Sequence, residues 1–492
     1  MNNPDPVVKP PVAPIGAEKS LYAKRVPVHP RRIDGPFRRF KWLVMFVTLA
    51  IYYGTPWLRW DRGPYAPDQA VLIDLEHRRF YMFAIEIWPQ EFYFVAGLLI
   101  MAGIGLFLVT SAVGRAWCGY SCPQTVWTDV FQHVDRFVDG DRNARMRLDA
   151  APWTASKIAR RLVKWTIYLI ISFWTGGAWI MYFADAPTLV RDFWSLDAAP
   201  VAYATVAILT GTTFWFGGFM REQVCIYMCP WPRIQTAMLD EKSLLVTYKD
   251  WRGEKRGSVK KAEKNPGEYG DCIDCGLCVA VCPTGWDIRK GPDVSCITCG
   301  LCIDACDRVM GEVGRPRGLI DYATLDDCRS EAAGNPPKPV WKTLLHPRTL
   351  IYFGIWVAIG LALLFALGTR SHIDISAAPD RNPPFMLMSD GSVRNAFTVK
   401  LRNMENRPRR MKVSLDGLPA ARIWTDDMAR EDAERELYRT VPADETMPLR
   451  IYVVAPSGTR PQEFAFTVTS QDDEQASDTS EVNFEAPGSD KE

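Results

Sequence analysis

From Ser371 to Glu492 the chain has no cysteine, although thirteen occur before that point. A tail without cysteine excludes a disulfide framework there. Net charge is also almost absent, because 58 Lys and Arg stand against 57 Asp and Glu. No basic excess therefore points to nucleic acid as a partner. A glycine-rich phosphate loop is missing too, which leaves nucleotide binding without support. Neither a C-x-x-C-H haem-attachment site nor a flavin-attachment motif occurs, which weighs against an outer haem or flavin acceptor.

What is present is cysteine of one very particular spacing. Between Cys272 and Cys306 two C-x2-C-x2-C-x3-C runs follow one another. Bacterial-type ferredoxins hold pairs of 4Fe–4S clusters with this spacing, the fourth Cys of each run ligating the other cluster. The expected sets are Cys272, Cys275, Cys278 with Cys306, and Cys296, Cys299, Cys302 with Cys282. Zinc ribbons use separated C-x2-C pairs and have no need of a doubled, crossed arrangement. Cys282 is followed by Pro283 but Cys306 by Asp307, which sets a carboxylate near the first cluster without removing a ligand.

Apolar residues gather in segments long enough to cross roughly 30 Å of hydrocarbon. Five spans are expected: Trp42–Leu58, Phe92–Val113, Trp165–Ala184, Val201–Met220 and Leu350–Leu367. The polar, basic stretch 1–41 ahead of the first span does not read as a cleavable signal peptide. Counting Lys and Arg, the amino-terminal segment and the loops 114–164 and 221–349 together hold 37, against 5 in the loops 59–91 and 185–199. Such an asymmetry places the amino terminus and the ferredoxin insert in the cytoplasm and the tail on the opposite face. All thirteen cysteines then fall on the cytoplasmic side or at helix ends beside it, as metal-binding thiolates require. Cys328 has no partner in sequence and reads as a plain surface or packed thiol.

Four cysteines remain, in two copies of one motif. Cys118-Gly119-Tyr120-Ser121-Cys122-Pro123 follows the second span, and Cys225-Ile226-Tyr227-Met228-Cys229-Pro230 follows the fourth. Each leads into an amphipathic stretch. An i, i+4 spacing would set both sulfurs of a pair on one helix face, and the following proline would kink or end the helix beside them. A four-sulfur site suits Cu(I), zinc or an iron–sulfur cluster. The spacing fits no common cluster loop, and structural zinc favours C-x2-C. A redox dithiol, or cysteines that merely pack a helix end, are the other readings. Met220 and Met228 are candidate thioether ligands that read more simply as core, and His133 reads as an interfacial or core residue.

The tail reads as a β-sandwich. Expected strands are Val393–Leu401, Met411–Leu415, Leu449–Val454, Glu463–Val468 and an edge at Ser480–Phe484, separated by turn-rich stretches. The basic run Arg407–Lys412 reads as a solvated turn, and the end from Pro487 as structureless.

Taken together, these features resemble the CcoG proteins, also called FixG or RdxA, which are accessory proteins of cbb3-type cytochrome c oxidase. The resemblance rests on the two C-x3-C-P motifs after spans two and four, the two-cluster insert and the cysteine-free tail. Phe80-Tyr81-Met82-Phe83 and Ile87-Trp88-Pro89-Gln90 in the first outer loop add to it. It implies a multi-domain membrane protein: a basic segment 1–41, four helices and both motifs within 42–220, a ferredoxin-like 2[4Fe–4S] region 221–348, a fifth helix 350–367, an immunoglobulin-like sandwich 371–486 and a tail 487–492. It also implies a bacterial inner-membrane location and a cupric reductase. An electron from an unidentified donor would pass by way of the two clusters to copper held at Cys118, Cys122, Cys225 and Cys229, and Cu(I) would go to oxidase assembly. The implied partners are membrane lipid, oxidase assembly factors, copper chaperones or transporters, and a second copy in a homodimer. Two competing readings stand beside it: a quinol-linked conduit of the NapH or NosR kind, and a non-catalytic assembly scaffold.

Overall fold

The computed structural model describes residues 27–64, 66–336, 345–405, 407–472 and 476–487. Most of the basic segment 1–41 and, Pro487 apart, the tail 487–492 lie outside them. The chain forms two compact units, one from the residues up to Leu58 with Gln69–Leu361, the other from Arg59–Asp68 with Ala362–Glu492.

Among the described residues, the helices Pro36–Gly54, Phe92–Val113, Ala155–Ile180 and Pro200–Thr213 lie in the first unit, as does the amphipathic Pro123–Asp139, and a fifth apolar helix, Pro347–Thr369, begins there and runs past Leu361. Two stretches among the described residues, Pro89–Val113 and Pro347–Thr369, are long and apolar enough to cross a membrane. A third qualifies if Ala186–Ser195 and Pro200–Met220, bent by 93° at their junction, count as one span. The first and third helices begin earlier than the apolar windows Trp42–Leu58 and Trp165–Ala184, because each opens on a turn rich in cations. Of those cations, Arg38, Lys41, Lys157 and Lys164 are buried. Arg38 Nη1 donates to both carboxylate oxygens of Asp129 at 2.9 and 3.0 Å, and Lys164 donates to Asp139. An apolar window cannot include residues whose burial depends on a distant carboxylate.

The fourth helix widens into a π-helical turn over Phe214–Met220. Side chains pack into its glycines: a Cβ on Gly217 would stand 2.5 Å from the Phe131 ring, and one on Gly218 3.0 Å from that of Tyr168. Single π turns of this kind recur beside functional sites.

Within the first unit, the segment holding the eight clustered cysteines is closed by two antiparallel strands, Leu245–Tyr248 and Ile320–Ala323, in register Leu245↔Ala323. Val246, Tyr248, Ile288, Ile303, Met310, Leu319 and Ile320 form its core. Each cysteine run turns through two left-handed residues at the same positions, Asp274 and Gly276 in the first, Thr298 and Gly300 in the second. Gly276 and Gly300 then start the helices Leu277–Ala280 and Leu301–Glu312. A left-handed Asp or Thr is costly unless the fold holds it, so the repeat is one of backbone as well as of sequence.

The second unit carries two antiparallel sheets. One runs Arg422–Thr425, Thr446–Ala455, Val393–Asn403, Ile373–Pro379, with Met386–Leu387 also on Val393–Asn403. The other runs Glu436–Val441, Arg409–Asp416, Gln462–Ser470, Ser477–Phe484. Alternate residues Phe397, Val399, Leu401 on one and Met411, Val413, Phe464, Phe466 on the other make the shared core, with Phe397 5.4 Å from both Phe464 and Phe466. The run Arg407–Lys412 departs from its reading as a solvated turn. Arg409 begins a strand and is 3 % exposed; its Nε donates to Glu405 Oε2 and its Nη1 to Ser470 Oγ, both at 2.8 Å. Pairing makes the burial tolerable.

Candidate metal centres

The eight clustered thiols fall into two neighbourhoods. The Cys306 sulfur lies in the field of Cys278, Cys272 and Cys275. Cys296, Cys299 and Cys302 each lie in the field of Cys282. Burial, above all, pushes Cys278, Cys296 and Cys306 up to about 12. Such thiols stay protonated until a cation displaces the proton. Among the described residues no three His, Cys, Asp or Glu side chains are drawn into metal-holding geometry. The donor chemistry nonetheless fits iron–sulfur ligation: two all-sulfur sets on two loops that repeat the same left-handed turn, buried or half-buried apart from one edge. That edge is Cys275, the exposed member of the eight.

The C-x3-C-P cysteines sit differently from a helical i, i+4 pair. Cys118 lies in the short helix Ala116–Tyr120, while Cys122, with extended backbone, caps the helix Pro123–Asp139. Cys225 lies in the π turn Val224–Met228, and Cys229 follows it, again extended. Each proline thus ends one turn and begins another element, and the two sulfurs of a pair do not share a helix face. The fold still gathers all four. Cys225 lies in the field of Cys122, Cys118 and Cys229, and Cys118 in that of Cys122 and Cys229. Burial is the main cause that pushes Cys118 up to about 11 and Cys225 up to about 12; the Arg115 guanidinium pulls both the other way.

Supporting groups fix Cys118. Its sulfur donates to Gln235 Oε1 at 3.1 Å, Gln235 Nε2 donates to Thr110 Oγ1 at 3.1 Å, and Thr125 Oγ1 donates to the Cys118 carbonyl at 2.5 Å. Met228 is 51 % exposed. His133 pairs with Arg38 and the Asp129 carbonyl, a structural role. Cys328 is half-buried and free.

Gly119, Tyr120 and Arg115 join the two sites, and sequence reasoning missed them. A Cβ on Gly119 would meet the Ile297 carbonyl oxygen at 2.6 Å. Tyr120 Oη donates to the Cys299 carbonyl at 3.0 Å, and Arg115 Nη1 to the Val294 carbonyl at 2.5 Å. Cys118, Ile297 and Cys299 share one apolar cluster with Ile33, Val281, Leu301 and Ala305. The one available signal was an asymmetry of the repeat, Gly119 standing where the second copy has Ile226.

Fold and sites together define an iron–sulfur electron-transfer protein with helices able to cross a membrane and an immunoglobulin-like domain. Residues 220–325 match a family described as a 4Fe–4S dicluster domain, and 94–139 one described as a 4Fe–4S binding domain. Residues 363–487 match the Ig-like fold at the C-terminus of FixG. Nitrogen fixation protein FixG of Rhizobium meliloti is 54 % identical, covering 95 % of this chain and 94 % of its own. Proteins RdxB and RdxA of Cereibacter sphaeroides are 55 % and 54 % identical; they cover 89 % and 91 % of this chain, and 91 % and 93 % of their own. The chain belongs to the FixG/RdxA family.

Proposed function

We propose that this protein is a cupric reductase of the bacterial inner membrane, delivering Cu(I) for assembly of a cbb3-type cytochrome c oxidase. The observation that carries the reading is the seat of Gly119 on the Ile297–Cys299 loop, beside which Cys118, one of the four gathered thiols, shares an apolar cluster with Cys299 of a ferredoxin set. The clusters, when bound, supply one-electron storage. The chain's own residues do the rest: Cys118, Cys122, Cys225 and Cys229 receive the substrate ion, and apolar Ile33, Val281 and Leu301 keep water from the junction. Sulfur donors favour Cu(I) over Cu(II), so binding through them favours uptake of one electron by copper.

The five apolar helices are read as spans, with the amino terminus and ferredoxin insert cytoplasmic and the immunoglobulin-like domain periplasmic. The basic asymmetry of 37 to 5 supports that orientation. Oxidase assembly factors and copper chaperones or transporters are the partners that this reading entails. Anaerobic protein given Cu(II) and a reductant should yield Cu(I) stoichiometrically with the electrons supplied; absence of copper-dependent oxidation of the reduced protein would remove the reading.

A second reading has one specific observation in its favour. The family described as 4Fe–4S binding spans 94–139, and so covers Cys118 and Cys122. Four gathered thiols could then hold a further iron–sulfur cluster in place of copper. Metal analysis separates the two, at about eight iron per chain for copper substrate and about twelve for a third cluster.

A further inference from the structure

We propose that the surface around Cys275 is the port for electrons, and that it docks a soluble, acidic one-electron carrier protein. This rests on the electron-transfer reading alone and is independent of copper. Seven of the eight ferredoxin cysteines are buried or half-buried, and Cys275 is exposed. Cys299, of the other set, is sealed against Cys118. The chain therefore has one open edge and one closed edge, and an external donor can approach closely at the open one.

Charge selects the donor. Gly257 N donates to the Cys272 carbonyl at 3.2 Å, which ties the segment 254–264 to the Cys275 loop. That segment exposes Lys255, Arg256, Lys260, Lys261 and Lys264. Lys255 and Arg256 are offset by Glu268 and Glu254. Lys260, Lys261 and Lys264, on the helix Val259–Lys264, form no ion pair among the described residues. Of the acidic residues beside Cys275, Asp271 pairs with Arg252, while Asp274 and Asp287 share Arg289, so these three carboxylates outnumber their two cations by one. The segment 254–264 thus carries five cations against Glu254 and Glu263, an excess of positive charge larger than the single carboxylate left over beside Arg289. A patch of one sign beside a redox edge steers partners of the opposite sign, with a rate that falls as salt rises. In the transfer itself a donor such as a flavin hydroquinone gives up one electron to become its semiquinone. The acceptor gains that electron, and no bond forms or breaks.

The test uses full-length protein in zwitterionic nanodiscs and flavodoxin as the acidic carrier. Calorimetry gives the affinity for oxidised flavodoxin against ionic strength, and stopped-flow absorbance gives reduction by its hydroquinone. Binding should weaken with salt, and Lys260→Glu/Lys261→Glu/Lys264→Glu should weaken it further by about tenfold or more at low salt. Iron content and reduction by dithionite should stay unchanged. Lys260→Gln/Lys261→Gln/Lys264→Gln, which removes charge without reversing it, should fall between the two. Equal affinity in wild type and both variants, or binding indifferent to salt, overturns the proposal. So does loss of adhesion to anionic vesicles with flavodoxin binding intact, which would assign the lysines to lipid, and so does reduction by a membrane hydroquinone where flavodoxin reduces nothing. Failure of dithionite to reduce the wild type would instead sink the electron-transfer reading itself.

Discussion

Gly119 touches the backbone of Cys299: a Cβ on Gly119 would stand 3.1 Å from the Cys299 Cα and 3.2 Å from its nitrogen. Two sites far apart in sequence, one in a C-x3-C-P motif and one in a ferredoxin loop, meet at this contact. Backbone cannot retreat as a flexible side chain does, so the position tolerates little beyond glycine. Gly119→Ala should lower stability by about 1–3 kcal/mol, and Gly119→Val by more. Thermal unfolding of purified protein should record the loss, and the iron–sulfur absorbance should decline with it. Ile226→Ala, at the matching position of the other motif copy, should leave that absorbance intact. Wild-type behaviour of Gly119→Val would separate the two sites.

A second expectation concerns Asp135, fully buried among cations. Arg145 reaches it at 2.6 Å, Arg221 at 2.7 Å and Lys164 at 3.6 Å. Burial alone would raise its carboxyl, but Arg221 and Arg145 outweigh that and hold it well below the usual range. Its contribution to stability is thus complete above the unfolded value of about 3.9 and is lost as pH falls from there toward the folded value. Asp135→Asn should cost about 3–5 kcal/mol at pH 7, because Arg145 and Arg221 lose their buried carboxylate while Lys164 keeps only Asp139. The gap between wild type and variant should narrow below about pH 4, as unfolding at pH 7 and pH 3 in the same detergent would record. A gap that widens in acid would contradict the assignment.

These two residues also mark where sequence reading stops. The cysteine sets are legible because a cluster loop is local: Cys272, Cys275 and Cys278 announce themselves by spacing. Strands such as Val393–Asn403 are legible because Phe397, Val399 and Leu401 alternate with polar neighbours. Three shorter or more polar strands, Ile373–Pro379, Arg422–Thr425 and Glu436–Val441, carry too few apolar residues to stand out. Arg38 and Lys164 look like surface cations, since nothing nearby in sequence shows that Asp129 and Asp139 bury them, and Arg409, although Glu405 is only four residues back, gives no sign of its distant Ser470 partner. Gly119 is ordinary until Cys299 is placed against it, and only the fold brings four C-x3-C-P sulfurs together.

Orientation gives a third expectation. Reporter fusions near residues 140 and 280 should report cytoplasm, and fusions near 190 and 420 the opposite face, because the basic residues divide 37 to 5. An impermeant thiol reagent applied outside intact cells should label no cysteine, Cys275 included. Labelling of Cys118 or Cys225 under those conditions would reverse the topology.

The last expectation separates three uses of the four gathered thiols. If they receive copper, Cys118→Ser/Cys122→Ser should abolish Cu(II) reduction and leave about eight iron per chain, since those residues lie outside the ferredoxin sets. If they hold a third cluster, the same change should lower iron from about twelve to about eight and alter the EPR spectrum of the reduced protein. If they only pack the helix ends, abundance and thermal stability should fall while the rate per folded molecule stays near wild type. Cys278→Ser provides the complementary measurement: it strikes a ferredoxin set and leaves Cys118 with its Gln235 partner untouched. Copper reduction should fail there as well, for want of electrons, yet copper should still bind. Copper binding kept in Cys278→Ser and lost in Cys118→Ser/Cys122→Ser is therefore the pattern that copper as substrate requires. Unchanged copper reduction when Cys118, Cys122, Cys225 and Cys229 are all serine would remove the site, and would leave the protein as a conduit to another acceptor or a scaffold.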